Sequence, residues 1–166
     1  WCWNQEAMDL FKSIDKELWN ALGKNPIALL DQLSYEQYLK LEKNDKFLRQ
    51  LDRVAESFNE YMEEKKGRKG ASIAYFCMEY GLDASLKIYS GGLGILAGDY
   101  LKESSDLNVN MTGIGLLYRF GYFNQKLSGY GDQIADYQPQ DFMKIPAVPV
   151  RDSEDKWVTI SVAFPG

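Results

Sequence analysis

The distribution of glycine divides this chain into two parts. Residues 1–70 hold three of the 14 glycines and residues 71–166 hold the other 11. Glycine is unfavourable inside a helix, but it permits tight turns and close approach of one backbone to another. The first part therefore suits helices, and the second part needs loops and close packing. We expect two architectures that meet near residue 70.

Apolar residues recur at helical spacing throughout the first part. The pattern predicts an amphipathic helix over residues 4–22, which Gly23 ends. A turn at Asn25-Pro26 precedes a short helix over 27–33, since proline suits the first turn of a helix. Ser34 and Gln37 have the spacing of a capping box, and a long helix follows Asn44-Asp45. Residues 1–70 are predicted to be a helical segment.

Three tryptophans lie at the start of the chain: Trp1, Trp3 and Trp19. Aromatic rings can stack on sugar faces, so a sugar platform is one interpretation. Amphipathic helices usually bury such rings, and we favour a core position for all three.

The second part begins with a nearly continuous apolar run over residues 71–78. Such a run is typical of a parallel strand buried on both faces. A helical pattern over 93–107 and a second apolar run over 111–118 complete a strand, helix, strand order, which predicts a βαβ unit. Shorter pieces after residue 118, with a turn at Gly129 and Gly131 and a strand-like run over 157–164, predict appended antiparallel strands. The fold class is α/β.

Composition excludes several kinds of chemistry. The chain has no histidine and two cysteines, Cys2 and Cys77, so a histidine triad and a four-ligand zinc site are both excluded. We expect no metal. A net charge of −5 argues against nucleic acid and anionic membranes as partners. With no apolar run long enough to span a membrane and no signal peptide, a cytoplasmic location is expected.

The most informative segment is the glycine-rich stretch over residues 88–99. Glycines ahead of a helix let a ligand approach the backbone, and the unpaired amides of the first turn favour an anion. The spacing of Gly92, Gly94 and Ala97 also fits a relaxed dinucleotide pattern, but no ribose-binding acid follows at 111–115. The alternative is that these glycines only permit tight packing of helix on sheet.

Two long motifs give the segment a more specific meaning. The stretch CMEYGLDASLKIYSGGLGILAGDYLKESSDL, followed by GIGLLYRFGYFNQKL, resembles the N-terminal lobe of the α-glucan (glycogen and starch) phosphorylase family, in its bacterial and archaeal branch. The helical part resembles the N-terminal extension of that branch. The chain departs from the branch at Tyr100, which stands where histidine is usual, and at Asp132, which stands where tryptophan is usual.

This resemblance implies a two-lobed (GT-B) glycosyltransferase fold that cleaves terminal α-1,4-glucosidic bonds with phosphate and releases glucose 1-phosphate. Residues 1–70 would be the helical extension, and 71–166 an incomplete, Rossmann-like N-terminal catalytic lobe. The resemblance also implies pyridoxal 5'-phosphate, bound by a lysine outside this chain, and no cofactor bound here. No catalytic residue is expected among residues 1–166.

The resemblance assigns binding residues one by one. Gly91, Gly92, Leu93 and Gly94 match the loop that faces phosphate and the glucosyl unit, and we expect a left-handed backbone at Gly92 to add to its need for glycine. Glu79 matches an acidic residue bordering the same site, with loop orientation as the favoured role. Tyr118 and Arg119 are candidates for lining the cleft, although a structural ion pair is the commoner role of a lone loop arginine.

Two other hypotheses remain open. A glycogen or starch synthase lobe shares the fold and has its own Gly-Gly-Leu-Gly loop, but it would be expected to carry lysine where Tyr89 stands. A non-catalytic folding or interaction module is the other. Because the chain starts at Trp1 and stops after a strand-like run, we expect a fragment that is inactive by itself. Its open strand edges are expected to cause self-association.

Overall fold

The computed structural model describes residues 3–67 and 70–163. The part of the chain before residue 70 is helical, and the strands follow with a helix between the first two of them, as expected from the glycine distribution. In chain order the elements are α1 (Gln5–Ile14), α2 (Lys16–Ala21), α3 (Pro26–Asp31), α4 (Tyr35–Glu42), α5 (Asp45–Glu64), β1 (Ile73–Phe76), α6 (Gly92–Asp106), β2 (Met111–Ile114), β3 (Asn124–Leu127) and β4 (Gln133–Asp136).

The helix expected over residues 4–22 is in fact two helices. Asp15 adopts an extended backbone, with φ −156° and ψ 102°, and its carboxylate accepts a hydrogen bond from the Leu18 amide at 2.9 Å. Aspartate is a strong N-cap because its side chain satisfies an amide that the helix leaves unpaired. The cap therefore starts α2 and breaks the longer apolar repeat.

Side-chain caps also fix the starts of the next three helices. Asn25 caps α3 ahead of Pro26, and Asn44 caps α5. Ser34 and Gln37 form the expected capping box at α4, in which each side chain accepts from the other residue's amide. These local hydrogen bonds confirm the predicted helices over this range.

The helical part has its own small core. Leu10, Trp19 and Leu29 are buried, and the Phe11 and Trp19 rings stack with centroids 5.9 Å apart. Trp3 does not belong to this core: it is 53% exposed, and the Lys102 ammonium lies 4.9 Å from its ring centroid. The core prediction is thus right for Trp19 and wrong for Trp3, and Trp1 lies outside the described residues.

The second part contains the expected βαβ unit. Strands β1 and β2 are parallel, with Ile73 opposite Met111 and Phe76 opposite Ile114, and α6 connects them. The strands are shorter than the apolar runs that predicted them. They are also more exposed than expected, since Phe76 is 71% and Met78 63% exposed. The prediction of burial on both faces is wrong for the described residues, because α6 covers one face and leaves the other open.

Two glycines let α6 lie directly on the chain segment after β1. A Cβ at Gly98 would lie 2.2 Å from the Gly81 carbonyl oxygen, well inside van der Waals contact. The Gly81 amide donates to the Gly94 carbonyl at 2.7 Å. Tyr80 is buried between these elements, and its hydroxyl donates to the Tyr75 carbonyl. The helix is thus held against the segment by backbone contact as well as by side chains.

The appended antiparallel strands are present in part. Strands β3 and β4 pair with Asn124 opposite Asp136, and Gly131 in the connecting turn has φ +88°. Farther on, an isolated bridge joins Arg151 to Trp157. The strand expected over 157–164 is not formed over the described residues 157–163, where ladder pairing does not extend beyond the bridge at Trp157. Phe164 lies outside the described residues.

Polar contacts join the helical part to the rest of the chain. The Tyr61 hydroxyl of α5 lies 2.6 Å from the Ser105 hydroxyl of α6, and the Lys65 ammonium donates to the Asp106 carbonyl at 2.9 Å. The Asn25 side-chain amide, besides capping α3, donates to the Lys144 carbonyl at 2.8 Å. The bonds of Tyr61 and Lys65 fix α6, and so the glycine loop ahead of it, relative to α5. The bond of Asn25 attaches the segment around Lys144 to the start of α3.

Gly98 gives a direct test of the backbone contact. We expect Gly98→Ala to lower the free energy of unfolding by about 1–3 kcal/mol, because an overpacked Cβ forces backbone shifts that exceed the gain in helix propensity. Urea unfolding followed by circular dichroism measures the change. Gly129→Ala is the matched control, since no atom lies within 4 Å of a Cβ there. Equal midpoints for both variants would contradict the packing role.

Candidate loop site at the strand ends

The candidate site lies where the two parallel strands end. Glu79 follows β1 and Tyr118 follows β2, so both residues lie beyond the carboxyl ends of neighbouring strands. The glycine loop opens α6 from the same side, because α6 connects the two strands. In open parallel sheets, ligands bind in the crevice outside these strand ends. The fold therefore brings the predicted residues to one edge of the sheet.

Glu79 is bound to the residue just before the glycine loop. Its Oε1 accepts from the Ser90 hydroxyl at 2.5 Å, and its Oε2 accepts from the Ser90 amide at 3.2 Å. The pKa of Glu79 lies below its ordinary value of 4.5. The largest cause is the hydrogen bond from the Ser90 hydroxyl, and the amides of Ser90, Gly91 and Gly94 add to it, although partial desolvation opposes them. The carboxylate is ionised at neutral pH and holds the loop against the end of β1.

The glycines of the loop differ in what surrounds them. A Cβ at Gly91 or Gly92 would meet no atom within 4 Å, whereas a Cβ at Gly94 would lie 2.5 Å from the Tyr89 Cβ and 3.0 Å from the Glu79 Oε2. Gly94 therefore serves close packing, while Gly91 and Gly92 face open space. Gly91 is the N-cap of α6 with an extended backbone and no side-chain cap. Leu93, between them, is 55% exposed.

The left-handed backbone expected at Gly92 is not found. The described glycines with positive φ are Gly23, Gly67, Gly70 and Gly131. Gly92 is the first residue of α6, where any residue can adopt the backbone angles. The absence of a side chain at Gly92 thus has no conformational or packing cause within the described residues.

Tyr118 and Arg119 border the site in different ways. The Tyr118 hydroxyl donates to the Met78 carbonyl at 2.9 Å, next to Glu79 in the chain. The Arg119 guanidinium carbon lies 5.8 Å from the Phe120 ring centroid. Among the described residues Arg119 contacts this ring and not a carboxylate, so the ion pair considered for it is not formed there.

Sequence reasoning missed two residues of the site, Ser90 and Gln140. Ser90 is the hydrogen-bond partner of Glu79 and directly precedes the glycines, so its position was a usable signal. The Gln140 side chain bonds to the backbones of Lys87 and Tyr118 from 53 and 22 residues away. No local sequence pattern indicates such a contact, because it depends on the tertiary fold.

In residues 3–67 and 70–163 no group of three or more histidine, cysteine or carboxylate side chains is arranged to hold a metal ion. Over the same ranges, no helix has both the length and the apolar character to cross a membrane.

Comparison with known proteins places the chain in a family. A family model described as "Protein of unknown function (DUF3417)" matches residues 1–86, just over half of the chain. The chain belongs to this family. The match covers the helical part and extends past β1 into the segment that carries Glu79.

Named relatives extend the similarity to the rest of the chain. It is 38% identical to a maltodextrin phosphorylase of Thermococcus litoralis over 169 residues, 98% of this chain and 20% of that protein. Glycogen phosphorylases of Mycobacterium tuberculosis and Aquifex aeolicus are 38% and 37% identical over 99% and 95% of this chain. The expected resemblance to bacterial and archaeal phosphorylases is confirmed, and the chain corresponds to their N-terminal part. It spans about a fifth of their length.

The bond between Glu79 and Ser90 predicts a measurable titration. A folded-state pKa below the ordinary value of 4.5 means that ionised Glu79 stabilises the loop above that pH, and that the stabilisation is lost as the pH falls through the folded pKa. Because the Ser90 hydroxyl is the largest cause, we expect Ser90→Ala to move the pKa upward. Carbon NMR of the Glu79 carboxyl measures it.

Ser85→Ala is the control for this titration. Ser85 lies in the same loop, but its hydroxyl bonds to Asp83 and not to Glu79. An unchanged Glu79 pKa in Ser90→Ala, or the same change in both variants, would refute the proposed cause.

Proposed function

We propose that this chain is the N-terminal part of an α-glucan phosphorylase. The complete enzyme would cleave terminal α-1,4-glucosidic bonds of glycogen, starch or maltodextrin with inorganic phosphate and release glucose 1-phosphate. Residues 1–70 would form a helical extension and residues 71–166 the start of the first lobe of a two-lobed GT-B fold. The observation that carries the proposal is the open space at Gly91 and Gly92, at the strand ends and at the start of α6.

The geometry of the loop suits an anionic substrate. The first amides of a helix have no partner within the helix, and the aligned peptide dipoles add partial positive charge at that end. α6 has 15 residues and no side chain caps its start. We infer that the loop of Gly91, Gly92, Leu93 and Gly94 faces phosphate and the glucosyl unit, with Tyr118 and Arg119 at the edge of the cleft. Since the Gly91 and Gly94 amides interact with the Glu79 carboxylate, the Gly92 and Leu93 amides are assigned to phosphate.

Glu79 is proposed to orient the loop and not to react. Both of its oxygens accept from Ser90, and its pKa is lowered. A carboxylate that donates a proton near neutral pH needs a raised pKa, which is the opposite shift. The protonation chemistry of the proposed reaction is therefore assigned to groups outside residues 1–166.

Pyridoxal 5'-phosphate is the cofactor that the phosphorylase resemblance implies. The lysine nearest the glycine loop in sequence, Lys87, is exposed, and its backbone is bound by Gln140. Because Lys87 is exposed, these residues do not fit a Schiff base with the cofactor. We propose that a lysine outside this chain binds it.

The synthase hypothesis is less well supported. A synthase would be expected to have lysine where Tyr89 stands. The relatives given above, which match 95–99% of this chain, are named phosphorylases. We further propose a cytoplasmic location and no nucleic-acid or membrane partner, in keeping with a net charge of −5.

The proposed function is tested with the complete protein that carries this segment. It should form glucose 1-phosphate from maltodextrin and phosphate, whereas residues 1–166 alone should neither form it nor change the absorbance of added pyridoxal phosphate. A complete protein that instead needs a nucleotide sugar to extend glucan would favour the synthase. Activity or cofactor uptake by the isolated chain would refute the placement of the site.

Gly92→Val in the complete protein tests the loop. Because no atom lies within 4 Å of a Cβ there and φ is not left-handed, the variant should fold normally. A side chain that blocks the amides should lower kcat/KM by about 100-fold, within the range found when substrate positioning is lost. Ala84→Val, an exposed position in the preceding loop, is the control. Normal kinetics in Gly92→Val would show that the loop does not meet substrate.

We also propose that residues 1–166 self-associate in isolation. One face of the two-stranded sheet is open. Phe76 in β1, Met78 just after β1 and Leu116 just after β2 are each more than half exposed. Both outer strand edges lack a ladder partner within the described residues, and unpaired edges favour association. Sedimentation velocity at micromolar concentration should detect dimers or larger species. A monomer that binds no apolar dye would contradict this prediction.

A further inference from the structure

Gln140 connects three chain segments around the glycine loop. Its Nε2 donates to the Tyr118 carbonyl at 2.6 Å and to the Lys87 carbonyl at 3.2 Å. Its Oε1 accepts from the Lys87 amide at 3.2 Å. The side chain thus binds the backbone of Lys87 at both polar groups, as a neighbouring strand would, and joins it to the segment after β2.

The backbone of Gln140 is itself held in place. Its amide donates to the Arg119 carbonyl at 2.8 Å, and an antiparallel bridge joins Phe120 to the preceding residue, Pro139. On the other side, a Cβ at Gly121 would lie 2.9 Å from the Lys87 Cβ, so these backbones approach closely. The amide of Gln140 is therefore presented to Lys87 from a fixed support.

Lys87 is the point from which the loop runs to α6. Residues 87–91 form no helix or strand, and the bonds that hold them come from outside the loop. Ile88 accepts from the Tyr80 amide at 3.3 Å, and Ser90 is bound by Glu79. The hydrogen bonds of Gln140 hold Lys87, which lies before Ile88 and Ser90 in the chain. Without Gln140, the chain that leads into Gly91 and Gly92 would lose its hydrogen bonds to the β2 side of the site and would keep only the packing of Lys87 on Gly121.

We infer that Gln140 is a positioning residue for the glycine loop, and that it sets the placement of the loop amides for phosphate. The inference rests on the proposed phosphorylase function. Gln140 has no assigned contact with substrate and acts through Lys87. The role requires a side chain that both donates and accepts hydrogen bonds and that is as long as glutamine. Among the natural side chains only asparagine and glutamine are uncharged amides, and asparagine is one methylene too short for this span.

Gln140→Met is the main test, because methionine fills a similar volume and makes none of the three strong hydrogen bonds. In the complete protein we expect the KM for phosphate to rise about tenfold, in line with the loss of one to two net hydrogen bonds. The KM for maltodextrin should rise less than the KM for phosphate, because the loop amides are assigned to phosphate and the glucosyl unit is only one of the sugar units through which a glucan binds. A role limited to overall stability would not separate the two KM values.

The matched control is Gln138→Met. Gln138 lies two residues away and is exposed, and its side chain bonds to Asp136 and not to the loop. It should leave both KM values unchanged. Equal effects of the two variants, an unchanged phosphate KM in Gln140→Met, or equal increases in both KM values would overturn the inference.

Hydrogen exchange provides a readout that does not depend on activity. In the 166-residue chain, Gln140→Met should speed amide exchange at residues 87–92 while α5 keeps the exchange rates of the parent chain. Faster exchange across the whole chain, or unchanged exchange at 87–92, would overturn the positioning role. If the complete protein lacks phosphorolysis while exchange increases only at the loop, the proposed function fails and the attachment by Gln140 stands.

Discussion

The contact between α6 and the segment after β1 is the constraint on which the rest of the site depends. Gly98 lies against the Gly81 carbonyl, and the Gly81 amide is bonded to the Gly94 carbonyl. This close approach fixes the start of α6 relative to the end of β1. Only then can Glu79 reach Ser90 across 11 residues of chain. A side chain at Gly98 would hold the helix away and would separate the carboxylate from the loop that it orients.

The same contact explains why the sheet is open on one face. α6 crosses from β1 to β2 on one side, where Tyr75 packs edge-on against Tyr80 and Tyr100. The described chain supplies no second layer for the other side. Parallel strands carry apolar residues on both faces because both are normally covered. The apolar residues of β1 therefore suit a further layer over this face, and the described residues 3–67 and 70–163 supply none.

Much of the fold could be predicted from local sequence. The starts of α3, α4 and α5 follow from Asn25, Ser34 and Asn44, whose caps act within three residues. The order of β1, α6 and β2 follows from apolar runs on either side of a helical repeat. The break at Asp15 was missed because an apolar repeat continues through it, although aspartate was present as a cap signal.

The candidate site was predictable to a smaller extent. The glycine motif and the strand ends located it, but the exposure of β1 depends on what packs over it and not on its own residues. Gln140 reaches Lys87 across 53 residues, and this contact exists only once the segment after β2 is in place. Helix caps and apolar periodicity can be predicted from neighbouring residues in the sequence. A hydrogen bond from a side chain to a distant backbone cannot, because it depends on the tertiary fold.

The loop glycines illustrate how one motif can serve two purposes. Gly94 lies against Glu79 and Tyr89, on the side of the loop that faces the protein. Gly91 and Gly92 have no atom within 4 Å of a Cβ, so nothing in the described fold requires glycine there. The negative charge of Glu79 repels an anion, and its oxygens already take the Ser90 amide. A phosphate on this loop would therefore meet the Gly92 and Leu93 amides, because Glu79 interacts with those of Ser90, Gly91 and Gly94.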